Sequence, residues 1–102
     1  MSESTFVGYV GDADIHDGSI LNVDRVDDSV RVRIRGYSGK TYLVTFGTVV
    51  EVRASRPEGM LLYALSEFAG DPPIRRFVFA KWDDNNTSVL EVDAETIDVR
   101  PE

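Results

Sequence analysis

From Val30 to Arg35 apolar and charged residues alternate without a break: Val30, Val32 and Ile34 against Arg31, Arg33 and Arg35. Strand side chains point to opposite faces with a period of two. One face of this stretch is therefore β-branched and apolar, and the other is a ladder of guanidinium groups. β-branched residues suit a pleated, half-buried surface, whereas a helix would scatter the arginines around its circumference. The stretch reads as a strand of an antiparallel sheet that is wet on one side.

The same alternation, less strict, runs on either side. Thr5–Val10 reads as a short edge strand weakened by Gly8. Ser19–Val26 sends Leu21 and Val23 inward and Asn22 and Asp24 outward. Asp27-Asp28-Ser29 then turns it back onto the ladder strand as an antiparallel hairpin. After the Gly36–Gly39 turn, Lys40–Phe46 places Tyr42, Val44 and Phe46 inward. Gly47 permits a kink or bulge before Thr48–Ala54, where Val50 and Val52 face in and Glu51 and Arg53 face out. Four consecutive strands on short loops make a meander.

In Met60–Phe68 two signals conflict. Met60, Leu61, Ala64, Leu65 and Phe68 make one helical stripe of good helix formers. Gly59 and Gly70-Asp71-Pro72-Pro73 bound the segment, and it stands where the next strand needs a hairpin partner. Strand is the preferred reading and helix the alternative. Ile74–Trp82 is a strand with Phe77 and Phe79 on one face and Val78, Ala80 and Trp82 on the other. Two apolar faces indicate a central strand covered on both sides, or a second face that meets a partner. Val89–Asp93 is the last clear strand, with Leu90 and Val92 inward, and Ala94–Arg100 adds a short edge strand through Ile97 and Val99. About seven or eight short strands at this spacing point to an antiparallel two-layer sandwich or half-open barrel. The expectation is a single all-β domain over 1–102, meander-rich, with at most one short helix and residues 1–4 as a disordered tail.

Composition narrows the function classes. The 102 residues are enough for one core without metal or disulfide staples. The absence of cysteine excludes disulfides and thiolate chemistry and suits a reducing cytoplasm. The polar, acidic start Met1-Ser2-Glu3-Ser4-Thr5 speaks against a signal peptide. The longest apolar run, Met60 to Leu65, is far shorter than the roughly 20 residues of a membrane helix. A net charge of −7 repels nucleic acid and anionic membranes. The cations are mostly Arg, which favours fixed, bidentate pairing.

Three constellations could carry chemistry. Asp12, Asp14, His16 and Asp17 lie within one loop and could hold a divalent cation through oxygen and one nitrogen. The calcium-loop pattern is broken, however: His16 and Asp17 stand at its fifth and sixth positions, its glycine comes one place late, and no Glu follows at the twelfth. A surface loop whose aspartates cap turns is the preferred reading, and a His16–Asp14 or His16–Asp17 acid–base pair is the lesser alternative. Asp83-Asp84-Asn85-Asn86 reads as a loop rather than a cation cage. The third constellation is the ladder of Arg31, Arg33 and Arg35, with Arg53 and Arg75-Arg76 as extensions. It could meet an acidic partner or phosphate. Tyr37, Tyr63 and Trp82 are the candidate stacking rings, but none sits inside it. The competing account is cross-strand neutralisation by Asp24, Asn22, Thr45 and Glu51. No phosphate loop, dinucleotide fingerprint, zinc-protease motif or nucleophile elbow occurs, and no cofactor is expected.

His16-Asp17-Gly18-Ser19-Ile20-Leu21, the Val/Arg strand, Arg56-Pro57-Glu58-Gly59-Met60 with Leu65-Ser66-Glu67, and Arg76-Phe77-Val78-Phe79 with Leu90-Glu91-Val92 are spread over most of the chain. Together they resemble a type of small bacterial conserved-hypothetical all-β protein with no assigned activity. In size and acidity the chain is also similar to small immunity and inhibitor proteins, which implies a neutralised partner but no residue roles. The expected function is a non-enzymatic binding or interaction module with a protein partner or a second copy, the latter through the Phe77–Trp82 strand. Binding-residue candidates are Arg31, Arg33, Arg35, Arg53 and Trp82. The alternatives are a cation-dependent protein or enzyme built on the Asp12–Asp17 loop, and anion or nucleic-acid binding by the ladder.

Overall fold

A computed structural model describes residues 5–11, 13–81 and 89–102. Its strands are β1 (Phe6–Tyr9), β2 (Ser19–Val26), β3 (Ser29–Arg35), β4 (Thr41–Ser55), β5 (Leu62–Ala69), β6 (Arg75–Lys81) and β7 (Val89–Pro101). The only helical element among the described residues is a 3₁₀ turn at Ala13–Ile15. All strand pairs are antiparallel, and the seven strands form one sheet in the order β1-β5-β6-β7-β4-β3-β2.

The sheet curls until its ends meet. The Asp17 amide donates to the Leu62 carbonyl (3.0 Å) and the Leu62 amide to the Gly18 carbonyl (2.8 Å). The Ile20 amide donates to the Met60 carbonyl (3.0 Å) and the Gly59 amide to the Ile20 carbonyl (2.7 Å). One side of β5 is thus shared, with the start of β2 holding its first residues and β1 the rest. Ile15, fully buried on the 3₁₀ turn, packs into the core beside this junction. The result is the half-open barrel of the two expected architectures. Met60–Phe68 is strand from Leu62 onward, because a hairpin partner for β6 and a closing contact for β2 outweigh local helix propensity.

β3 keeps its alternation, with Val30, Val32 and Ile34 fully buried and Arg31 and Arg35 exposed. Bulges rephase the neighbouring strands. In β2 the register shifts between Ile20 and Asn22, so Ile20, not Leu21, enters the core. The two expected strands around Gly47 are one 15-residue strand, bent where the register shifts between Val49 and Glu51. Thr48 takes a left-handed conformation there (φ 51°), Val49 turns inward and Val50 stands 58% exposed, the reverse of the simple alternation. A Cβ on Gly47 would overlap the Thr96 hydroxyl, so glycine is needed at the bend. The segment Ala94–Arg100 is likewise no edge. It continues β7, which runs through the middle of the sheet between β4 and β6.

β6 lies between β5 and β7, the central placement that its two apolar faces suggested. Phe77 and Phe79 point into the barrel, where Phe46 from β4 meets them at ring-centroid distances of 5.1 and 5.9 Å. These three rings join the two halves of the barrel wall. An edge-to-edge dimer through this strand is therefore not available over Arg75–Val78, where β7 already pairs with it. Trp82, Asp12, residues 1–4 and the Asp83–Asn86 loop lie outside the described residues.

Candidate interaction surface

The arginine ladder lies on the outer wall of β2, β3, β4 and the end of β7. Registers place Asp24, Arg31, Thr45 and Asp98 in one row and Asn22, Arg33, Leu43 and Arg100 in the next. Arg33 is held by Glu102, whose carboxylate accepts from Nε at 2.7 Å and Nη2 at 3.2 Å, and it also donates to Asn22 at 3.3 Å. The Glu102 carboxyl is accordingly lowered from its usual range by the hydrogen bonds from Arg33. Arg100 pairs with Asp98 at 2.6 Å. Among the described residues, engagement of the ladder is confined to Arg33, held by Glu102 and Asn22, while Asp98 pairs within its own strand with Arg100. Asp24 instead accepts from Asn22 at 3.0 Å, and Arg31 and Arg35 make no ion pair among the described residues.

Arg53 does not extend the ladder. Beyond the β4 bend it belongs to another network, donating to Glu91 at 2.7 Å, to Asp93 at 2.9 and 3.2 Å, and to Glu51. Arg76, across from Asp93 on β6, donates to the same carboxylate at 3.1 Å. Asp93 is only 7% exposed. Burial alone would push its carboxyl up, but the hydrogen bonds from Arg53 and Arg76 outweigh this and lower it. Arg75 faces the other way. It closes the end of the core over Phe77, 5.1 Å from the ring centroid, and is paired with Glu67 at 2.8 Å.

Asp14, His16 and Asp17 do not converge on one point. The Asp14 carboxylate accepts from the Ser38 amide (2.8 Å), the Ser38 hydroxyl (2.6 Å) and the Tyr42 hydroxyl (2.9 Å). It staples the 3₁₀ turn to the β3–β4 hairpin, and the Ser38 hydrogen bonds lower its carboxyl. Gly36 lies so close to Asp14 that a Cβ would overlap the carboxylate. His16 is half-buried with its ring 5.5 Å from Tyr9, edge to face. No group of three or more His, Asp or Glu side chains arranged to hold a metal occurs among the described residues.

A different surface emerges on β1 and the start of β5. Of the eight large apolar side chains exposed among the described residues, five stand here: Phe6, Val7, Tyr9, Leu61 and Tyr63. The Phe6 ring lies 5.1 Å from Tyr9 and 5.5 Å from Phe68, and Tyr9 lies 6.4 Å from Tyr63. A hydrogen bond with Tyr63 raises the Tyr9 phenol. Phe6 and Tyr9 are three residues apart and would alternate faces in a regular strand. The register shift between Phe6 and Gly8 brings both to the same side, opposite Phe68 and Ser66. A second shift between Leu62 and Ala64 accompanies the exposure of Tyr63. Interplanar angles of 65–74° leave the rings edge to face, a corrugated surface rather than the coplanar platform on which bases or sugars stack.

Sequence reasoning singled out Tyr63 only as a stacking ring for the ladder, from which it is remote, and did not assemble this patch. The signal lay in two uncharged stretches, Thr5–Gly11 and Gly59–Ser66; the first pairs with Leu65–Ala69 of β5, directly after the second. Tyr37 is 79% exposed at the β3–β4 turn, away from the cluster. No helix among the described residues is long and apolar enough to cross a membrane. No protein family, no curated protein and no solved structure matches the chain.

Proposed function

We propose that the chain is a non-enzymatic protein-interaction module that works through the apolar surface of β1 and the start of β5. One observation carries this reading: the concentration of Phe6, Val7, Tyr9, Leu61 and Tyr63 on two adjoining segments of a strongly acidic chain. A fully exposed aromatic side chain offers roughly 200 Å². Phe6, Tyr9 and Tyr63 at 48, 55 and 43% exposure therefore leave on the order of 300 Å² of ring surface in water before Val7 and Leu61 are added. A cluster of roughly this size matches the largest apolar patch of a typical monomer, which is often functional. The net charge of −7 and the pairing of Arg33 with Glu102 disfavour a nucleic-acid partner. A cytoplasmic setting accords with the cysteine-free sequence.

A photo-crosslinking side chain placed at Val7, in the protein produced in its native cells, tests the reading. A protein adduct from Val7 that is absent from the still more accessible Tyr37 position is expected, and Tyr9→Lys should abolish it. Equal adduct yields from the two positions, or no adduct at Val7, would refute the assignment.

A further inference from the structure

We infer that the partner of this surface is a second copy of the chain, the two packing face to face about a two-fold axis; this rests on the interaction-module reading and names its partner. The distribution of charge selects a second copy. Two chains of net charge −7 repel, and the repulsion is least where no carboxylate lies in the contact. Thr5–Gly11 and Gly59–Ser66 contain no Asp, Glu, Lys, Arg or His. Asp27 and Asp28 form the β2–β3 turn, Glu51, Glu91 and Asp93 are bound to arginines, Asp98 to Arg100 and Glu102 to Arg33. Glu67, opposite Gly8 at the margin of the patch, is neutralised by Arg75. Asp17, whose amide bonds the Leu62 carbonyl, and Glu58, which accepts from the Val23 amide, border the Leu61 side of the patch. Contacts between unlike, separable partners are about as apolar as any surface, whereas homodimer contacts are more apolar and lose charge from their centre. This patch has the second composition.

Two-fold packing sets Phe6 and Tyr9 of one copy against Leu61 and Tyr63 of the other, and the reverse by symmetry. Rings that already meet edge to face within one copy offer ridges and slots that a second copy can enter in the same manner. The contact is made by side chains rather than by continuing the sheet, because β1 has four residues and a bulge at Val7, both of which blunt an edge. A standard interface takes about 800 Å² per partner, a modest share of the 5994 Å² exposed by the described residues.

Sedimentation equilibrium from micromolar to about millimolar protein reads the outcome directly. The parent protein should dimerise. Tyr9→Lys and Leu61→Lys, each setting cations against an apolar contact, should weaken dimerisation at least about 100-fold, an effect of the size that central interface residues show. Tyr37→Lys should leave it unchanged. A parent protein that stays monomeric overturns the inference, as does a dimer that both patch variants leave intact. Circular dichroism and thermal melts establish that the variants fold. If they do not, the crosslinker at Val7 in purified protein decides by the presence or absence of a band at twice the chain mass. An adduct from Val7 in cells that contains only a different protein refutes the second copy while leaving the interaction reading standing; no adduct removes both.

Discussion

Asp93→Asn is the sharpest test of how the outer wall is held together. The carboxylate is 7% exposed and accepts four guanidinium hydrogen bonds, two from Arg53 (2.9 and 3.2 Å) and two from Arg76 (3.1 and 3.4 Å). Removing one partner of a fully buried ion pair costs about 3–5 kcal/mol. Here the arginine side chains are 32 and 40% exposed, so water takes back part of that loss, and Arg53 keeps Glu91 and Glu51. An isosteric amide that retains one acceptor oxygen should therefore cost about 2 kcal/mol. For a domain of this size that lowers the melting midpoint by roughly 8–16 °C. Urea titration should show a lower midpoint at an unchanged m-value. The pH dependence has a fixed sign. The folded-state carboxyl is lowered by Arg53 and Arg76 despite the opposing effect of burial. Its stabilisation is thus present above the unfolded value of about 3.9 and lost as pH falls through the folded value. The gap between parent and variant should be widest near neutrality and close in acid below about pH 4. A variant within about 0.5 kcal/mol of the parent at pH 7, the ordinary scatter of a surface substitution, would refute the network as a source of stability.

Two glycines should respond unequally to alanine. A Cβ on Gly18 would overlap the Arg35 carbonyl oxygen and stand 2.9 Å from the Ile15 carbonyl oxygen, both backbone, where β2 joins β5. Gly18→Ala should cost about 3 kcal/mol, the upper end for overpacking, whereas Gly47→Ala meets only the Thr96 hydroxyl and should cost about 1 kcal/mol. Equal urea midpoints for the two would contradict that ordering. Asp14→Ala should speed hydrogen exchange of the Ser38 amide while leaving amides in β6 and β7 unchanged. In the parent the same loosening should appear as pH falls through the lowered Asp14 carboxyl, below the ordinary carboxylate range. Unchanged Ser38 exchange would show that Asp14 does not fasten the turn.

The proportion of the molecule legible in the sequence follows the regularity of each strand. β3 has no bulge, so its period-two pattern maps directly onto buried Val30, Val32 and Ile34 and outward Arg31, Arg33 and Arg35. Tyr42, Val44 and Phe46 precede the bend in β4 and were placed equally well. The departures in facing cluster at register shifts: Ile20 instead of Leu21, Val49 instead of Val50, Tyr9 beside Phe6. One extra residue reverses the face of everything beyond it, and local composition does not announce it. The Arg33 partner Glu102 is 69 residues away, joined to the ladder only because β7 pairs along the whole of β4.

By itself the sequence determined the all-β class, the antiparallel hairpins and the apolar side of each regular strand, since these depend on neighbours two residues apart and on short turns. It also set the net charge of −7 and the two uncharged stretches, whatever the fold. Tertiary structure alone decided that Glu102 answers Arg33, that Asp93 bridges Arg53 and Arg76, and that Asp14 is spent on Ser38 and Tyr42. It also brought Phe6 and Tyr9 beside Tyr63. Strand alternation is a local property of the backbone, whereas pairing β1 with β5 joins segments about sixty residues apart, and the functional surface proposed for this protein exists only where that pairing brings them together.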